Sequence, residues 1–225
     1  MKKAIPSLLM AGALAVSAGV QAASITTSDA LGPQTTELET TNATLNFDAF
    51  DSALGTLNSV TIDISYESIS TVSLTNTSTQ GQRFSWDSGL DWEFEILAGS
   101  GNFVTADPTA LGSTGGRVTL ASGETLDLGT TTDGNTLSVT VAAADFANFI
   151  GTGQIGIGCN TFTSSNFSGG GGNIDTNQVT QASCAADITY DYAGTPAPSI
   201  PEPAAVWLIG AGLLGFVGFR AKKSS

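Results

Sequence analysis

The middle of this 225-residue chain predicts an all-β fold, an antiparallel β-sandwich, on three observations. Apolar residues recur at every second position in run after run. Turn signals rich in Gly, Asp and Ser separate the runs, and a helical period is almost absent. The terminal segments follow different rules and are set apart from the domain.

At the N-terminus, Lys2 and Lys3 form a basic region, Leu8 to Ala18 an apolar one, and Val20-Gln21-Ala22 a small-residue cleavage site. Residues 1–22 therefore read as a secretory signal peptide, because the apolar run is shorter than the roughly 20 residues a spanning helix needs. The domain follows over 23–193. In "SVTIDISYE", Val60, Ile62, Ile64 and Tyr66 alternate with polar neighbours, and in "LDWEFEIL" Leu90, Trp92, Phe94 and Ile96 do the same. Each pattern is that of a strand with one buried and one wet face.

Shorter runs are Val72/Leu74, Val118/Leu120, Leu126/Leu128, Leu137/Val139/Val141, Ile155/Ile157/Cys159 and Ile188/Tyr190/Tyr192. Turns are expected at Asp87-Ser88-Gly89, Gly115-Gly116, Ser122-Gly123 and Asp133-Gly134-Asn135. Phe146, Phe149 and Ile150 fall at helical spacing after Asp145 and predict one helical turn. "SSNFSGGGGNID" is too rich in glycine to pack and predicts a mobile loop. Cys159 and Cys184 are an even count in an exported segment, which favours a disulfide over a catalytic thiol; closing that loop contributes about 3 kcal/mol in the chain-entropy model.

After the domain, 194–203 reads as an extended Pro-rich linker. Residues 204–219 carry no charge and make a transmembrane helix about 24 Å long, short of a hydrocarbon layer about 30 Å thick. Arg220, Lys222 and Lys223 in the tail, 220–225, stop the transfer and keep the C-terminus in the cytoplasm.

Charge excludes several functions. The whole chain carries −13, but between Ala23 and Ser199 only Arg83 and Arg117 oppose 19 acidic residues, leaving −17. Such a surface repels phosphate backbones, so nucleic acid is not an expected partner. The chain has no His, and no Lys lies between Ala23 and Ser199, which removes Ser-His-Asp, Cys-His and Ser-Lys catalysis and HExxH zinc sites. The carboxylates mostly alternate outward on strands, so no enzyme is expected.

No cofactor is required either. Ca²⁺ is the one the acidity allows, with Asp48 and Asp51 as candidate ligands, but Ca²⁺ takes six to eight oxygens and turn capping by Asp is the alternative. Sugars stack on flat exposed aromatics. Trp92 shares the face of Phe94 and Ile96 and points inward, whereas Trp86, standing before a turn signal, is the candidate ligand platform, with core packing the alternative for both.

Pro201-Glu202-Pro203, then an apolar segment, then a terminal basic cluster resembles the PEP-CTERM sorting signal of Gram-negative bacteria that make extracellular polysaccharide. The resemblance implies that Pro201, Glu202 and Pro203 are recognition residues for exosortase. It also implies that the protein is held transiently in the inner membrane before reaching the cell surface or matrix. The Phe-Asp-x-x-Leu-Gly-Thr-Leu-x-x-Val stretch from Phe50 to Val60, with the later "ITYDY", is similar to the choice-of-anchor E domain, a β-rich surface module without an established catalytic activity. These readings predict a structural or adhesive protein of the cell surface or biofilm matrix, with recognition of exported polysaccharide as the alternative.

Overall fold

The structure, a computed structural model, describes residues 22–99 and 102–195. Residues 1–21 of the predicted signal peptide, most of the linker, Pro201–Pro203, the apolar run and Arg220, Lys222 and Lys223 lie outside the described residues.

Ala22–Gly194 forms one compact unit. Its strands are β1 (Ala22–Thr35), β2 (Thr44–Asp48), β3 (Gly55–Asn76), β4 (Gln82–Ile96), β5 (Asn102–Ser113), β6 (Val118–Leu120), β7 (Thr125–Thr140), β8 (Gln154–Gly169) and β9 (Ile174–Gly194). One sheet has the order β1-β9-β3-β7 and the other β2-β8-β4-β5, with β6 also paired to β4. All strand pairings are antiparallel. The predicted all-β, two-sheet fold is present, and the predicted helical turn is a 3-10 segment, Ala143–Phe149, that buries Phe149.

The strands are longer than the short runs in the sequence suggest. Val60 to Tyr66 and Val72/Leu74 belong to a single strand of 22 residues, whose inward positions in between are Ser68 and Ser70. Asp87-Ser88-Gly89 is not a turn but the middle of β4, and Asp133-Gly134-Asn135 is the middle of β7. Gly115-Gly116 and Ser122-Gly123 do lie in connections.

"SSNFSGGGGNID" is not a loop throughout: residues 164–169 complete β8, paired to β4. A main-chain ladder needs no apolar side chain, which is why the composition misleads. The turn itself is Gly170–Gly172, where φ of 76°, 54° and 76° suits glycine and not an L side chain. Pro108 in β5 and Pro33 in β1 sit on edge strands, where proline is tolerated.

The interior is divided along its length. A large cluster gathers Val60, Ile62, Ile64, Tyr66, Trp92, Phe94, Ile157, Ile188 and their neighbours. A smaller one gathers Val72, Leu74, Phe84, Trp86 and Leu120. Between them runs a buried polar belt. Ser68 Oγ donates to Thr109 Oγ1 at 2.7 Å, Trp92 Nε1 donates to the same oxygen at 3.1 Å, and the Ser70 and Thr180 hydroxyls lie 3.0 Å apart. Each buried donor thereby keeps a partner that water would otherwise supply.

Both sides of the sandwich are stitched by a carboxylate. Asp29 Oδ2 on β1 accepts from Asn46 N on β2, and Asp133 Oδ2 on β7 accepts from Ala110 N on β5, each at 2.7 Å. Each contact joins edge strands of different sheets.

Thr109→Val is expected to lower stability by about 1–3 kcal/mol, because it orphans Trp92 Nε1, while Ser68 Oγ can still donate to Asp133 O at 3.4 Å. Ser68→Ala, which leaves Thr109 bonded to Trp92, should cost less. Urea unfolding monitored by tryptophan fluorescence measures both.

Candidate functional site

The site residues predicted within the domain do not converge. Cys159 on β8 and Cys184 on β9 are joined as a disulfide with Cα atoms 6.8 Å apart, so the bond links the two sheets. Both cysteines are buried in the larger cluster.

Trp86 is not an exposed platform. It is 1% exposed, in the smaller cluster, because β4 continues through Asp87-Ser88-Gly89 and keeps Trp86 on the inward face with Phe84 and Leu90. Its ring lies so close to β5 that a Cβ at Gly112 would approach within 3.2 Å of it. Phe167 packs alongside, with ring centroids 6.2 Å apart. The Nε1 of Trp86 has no hydrogen-bond partner among the described residues.

Asp51 caps the 3-10 segment Ser52–Leu54, its Oδ1 accepting from Ala53 N at 2.8 Å. The backbone oxygen of Asp48 accepts from the Tyr190 hydroxyl at 3.1 Å. Burial, with the Asp48 charge adding to it, pushes the Tyr190 phenol up to about 12. Tyr66 makes the matching contact elsewhere: its hydroxyl donates to Asp107 O at 3.1 Å, and burial first, then the Asp107 charge, raises its pKa. At neutral pH both phenols are donors that tie one sheet to the other. Among the described residues no three His, Cys, Asp or Glu side chains gather as metal ligands.

The outer face of the four-stranded sheet is paved with small polar side chains. Register aligns Thr26, Thr189, Thr61 and Thr140 in one row across the strands, and Ser28, Asp187, Asp63 and Ser138 in another. The second row lines a shallow cleft of about 640 Å³. Hydroxyl pairs such as Thr26 with Thr189 at 3.0 Å and Thr75 with Thr125 at 2.9 Å are cross-strand contacts that stabilise the sheet.

Sequence reasoning missed two features. The buried polar belt is hidden because Ser and Thr at inward positions look like outward ones. The second is the exposed aromatics Phe103 (60%) and Phe162 (51%), whose signal is an aromatic in a strand whose neighbours on the same face are polar.

Residues 199–223 match the family model described as the PEP-CTERM protein-sorting motif. The tail carries a PEP-CTERM sorting motif. Such signals are processed by exosortase, which supports that enzyme as a partner, and the motif implies export and a surface or extracellular location. Pro201, Glu202 and Pro203 lie within the matched segment, as do Arg220, Lys222 and Lys223. No curated protein matches the chain. A solved structure, that of the infectious bursal disease virus Gt strain, is similar at 12% identity with a TM-score of 0.11, over 87% of this chain and 49% of that one. The chain spans about half the length of that viral protein, and a score so low carries no argument about the fold.

Trp86→Phe is expected to cost about 1–2 kcal/mol, since no hydrogen bond is lost but a small cavity is left. Trp86→Ala should cost about 3–5 kcal/mol through the cavity it leaves. Denaturant midpoints of the two variants check both values.

Proposed function

We propose that the chain is a structural or adhesive protein of the cell surface or polysaccharide matrix, without enzymatic activity. The observation that carries this reading is the PEP-CTERM motif at 199–223, behind a domain built as a disulfide-linked sandwich. In this reading the signal peptide, 1–22, starts export. The segment 204–219 then holds the protein transiently in the inner membrane, with Arg220, Lys222 and Lys223 on the cytoplasmic side. Exosortase next cuts at or near Pro201–Pro203 and passes the domain on.

The resemblance of Phe50–Val60 to the choice-of-anchor E domain supports surface display. Within that stretch Phe50, Leu57 and Val60 are buried and Asp51 is a cap, so the pattern serves the fold. The absence of His throughout, and of Lys between Ala23 and Ser199, supports a non-catalytic role.

Recognition of exported polysaccharide is a second reading, and Trp86 does not support it. What favours it is Phe103, exposed on edge strand β5 and paired in register with Glu95. A flat ring beside a carboxylate offers a sugar both a stacking face and a hydrogen-bond acceptor.

The intact mass of the mature protein recovered from the surface and medium of its native host tests the main reading. A mass that starts near Ala23 and ends near Pro201–Pro203 is expected. A mass that includes Ser225 would make the tail a permanent anchor and overturn the sorting scheme.

A further inference from the structure

We infer that the distal edge of β8, residues 164–169, pairs with the same edge of a second copy of this chain. The inference rests on the structural role proposed above and deepens it.

The edge is open because its cover stops early. β2 pairs only with Gln154–Gly158. Beyond it, Cys159 N donates to Ala43 O, Thr161 N to Leu38 O and Thr163 N to Glu37 Oε1. The cover ends there. From Ser164 onward β8 is paired to β4 alone. The alternation that turns the N–H groups of Cys159, Thr161 and Thr163 away from β4 continues through Ser165 and Phe167. The backbone N–H of these two residues has no partner among the described residues.

The side chains make the edge permissive. Every residue from Phe162 to Gly169 is exposed, including Phe162 at 51% and Phe167 at 43%. Other edges are guarded in the ways that prevent strand addition. β1 carries Asp29 and Pro33; β5 carries Asp107 and Pro108; β7 carries Asp127 and Asp133 and a register irregularity opposite Val72/Ser73; β2 is five residues long. The distal half of β8 has neither charge nor proline.

Electrostatics selects the occupant. The segment 23–199 carries −17, so two copies meeting elsewhere set acidic faces against each other. From Phe146 to Ile174 no residue is charged. The charges that reach this edge come from elsewhere in the chain and are of both signs, Glu37 at Thr163, Asp87 beside Asn166 and Arg117 beside Ser168, so the acidic excess is smaller here than over the domain as a whole. An antiparallel edge is also its own complement under a two-fold axis, so a second copy needs no new surface. A two-fold centred on Phe167 sets Ser165 of each copy opposite Gly169 of the other and brings the two Phe167 residues together, covering apolar surface that is otherwise wet.

Sedimentation velocity of the protein recovered from the host surface, over a concentration series at low and high salt, tests this. A monomer–dimer equilibrium is expected, strengthening as salt screens the acidic faces. Ser165→Pro, which removes an outward N–H without touching the ladder to β4, should weaken association by about tenfold or more. Asn166→Lys, which adds an exposed charge at the edge, should do the same and serves if the proline variant misfolds, with circular dichroism checking both. A monomer at every concentration and both salts overturns the inference, as does an oligomer that both folded variants retain. Neither result bears on where the tail is cut, which the mass reports separately.

Discussion

The arrangement depends on the bond between Cys159 and Cys184. Each cysteine holds an inward position of its strand, Cys159 opposite Phe94 on β4 and Cys184 opposite Tyr66 on β3. Because side chains alternate with a period of two, a slip of one residue in either strand would turn its sulfur to solvent and every core side chain with it. The bond therefore fixes the register of both sheets where Tyr66, Trp92 and Phe94 meet, with Tyr66 and Trp92 rings 5.0 Å apart. Everything along β3 follows from that register, including the serines that make the polar belt and the apolar pair Val72 and Leu74 beyond it. The phenols of Tyr66 and Tyr190 and the carboxylates of Asp29 and Asp133 then tie the sheets along their length.

A second constraint is charge. A domain with 19 acidic and two basic residues between Ala23 and Ser199 sets like charges against each other over most of the surface that two copies could bring together. It cannot form many ion pairs of its own, so its polar contacts are hydrogen bonds between hydroxyls, carboxylates and the backbone. Threonine rows on the outer face and the Ser–Thr belt inside are two uses of one chemistry, in water and away from it. From Phe146 to Ile174 the chain itself carries no charge, and the groups that reach the far half of β8 from elsewhere, Glu37, Asp87 and Arg117, are of both signs.

Much of this was legible in the sequence, for physical reasons. Alternation at Val60–Tyr66 and Leu90–Ile96 identified the inward faces correctly, since a half-buried strand needs such a pattern. The cysteine pair was legible from count and context. Strand length was not, because Ser68 and Ser70 break the apolar period while keeping its parity, and parity without hydrophobicity leaves no signal in one chain. Trp86 was misplaced for a related reason: Asp87-Ser88-Gly89 has the composition of a turn, yet its backbone is held in a ladder by β5 on one side and β8 on the other. Edge strands such as β1 bury little and so carry weak patterns. The sorting motif was the most legible feature because it is a short linear order of residue types that needs no fold to be read.

The central claim is that this domain closes outside the cytoplasm, where a disulfide forms and persists. Peptide mapping without reduction, after thiols are alkylated in the protein as recovered from its host, tests it most directly. The account predicts a peptide pair joined through Cys159 and Cys184. Two alkylated, unlinked cysteines in the folded protein would contradict it.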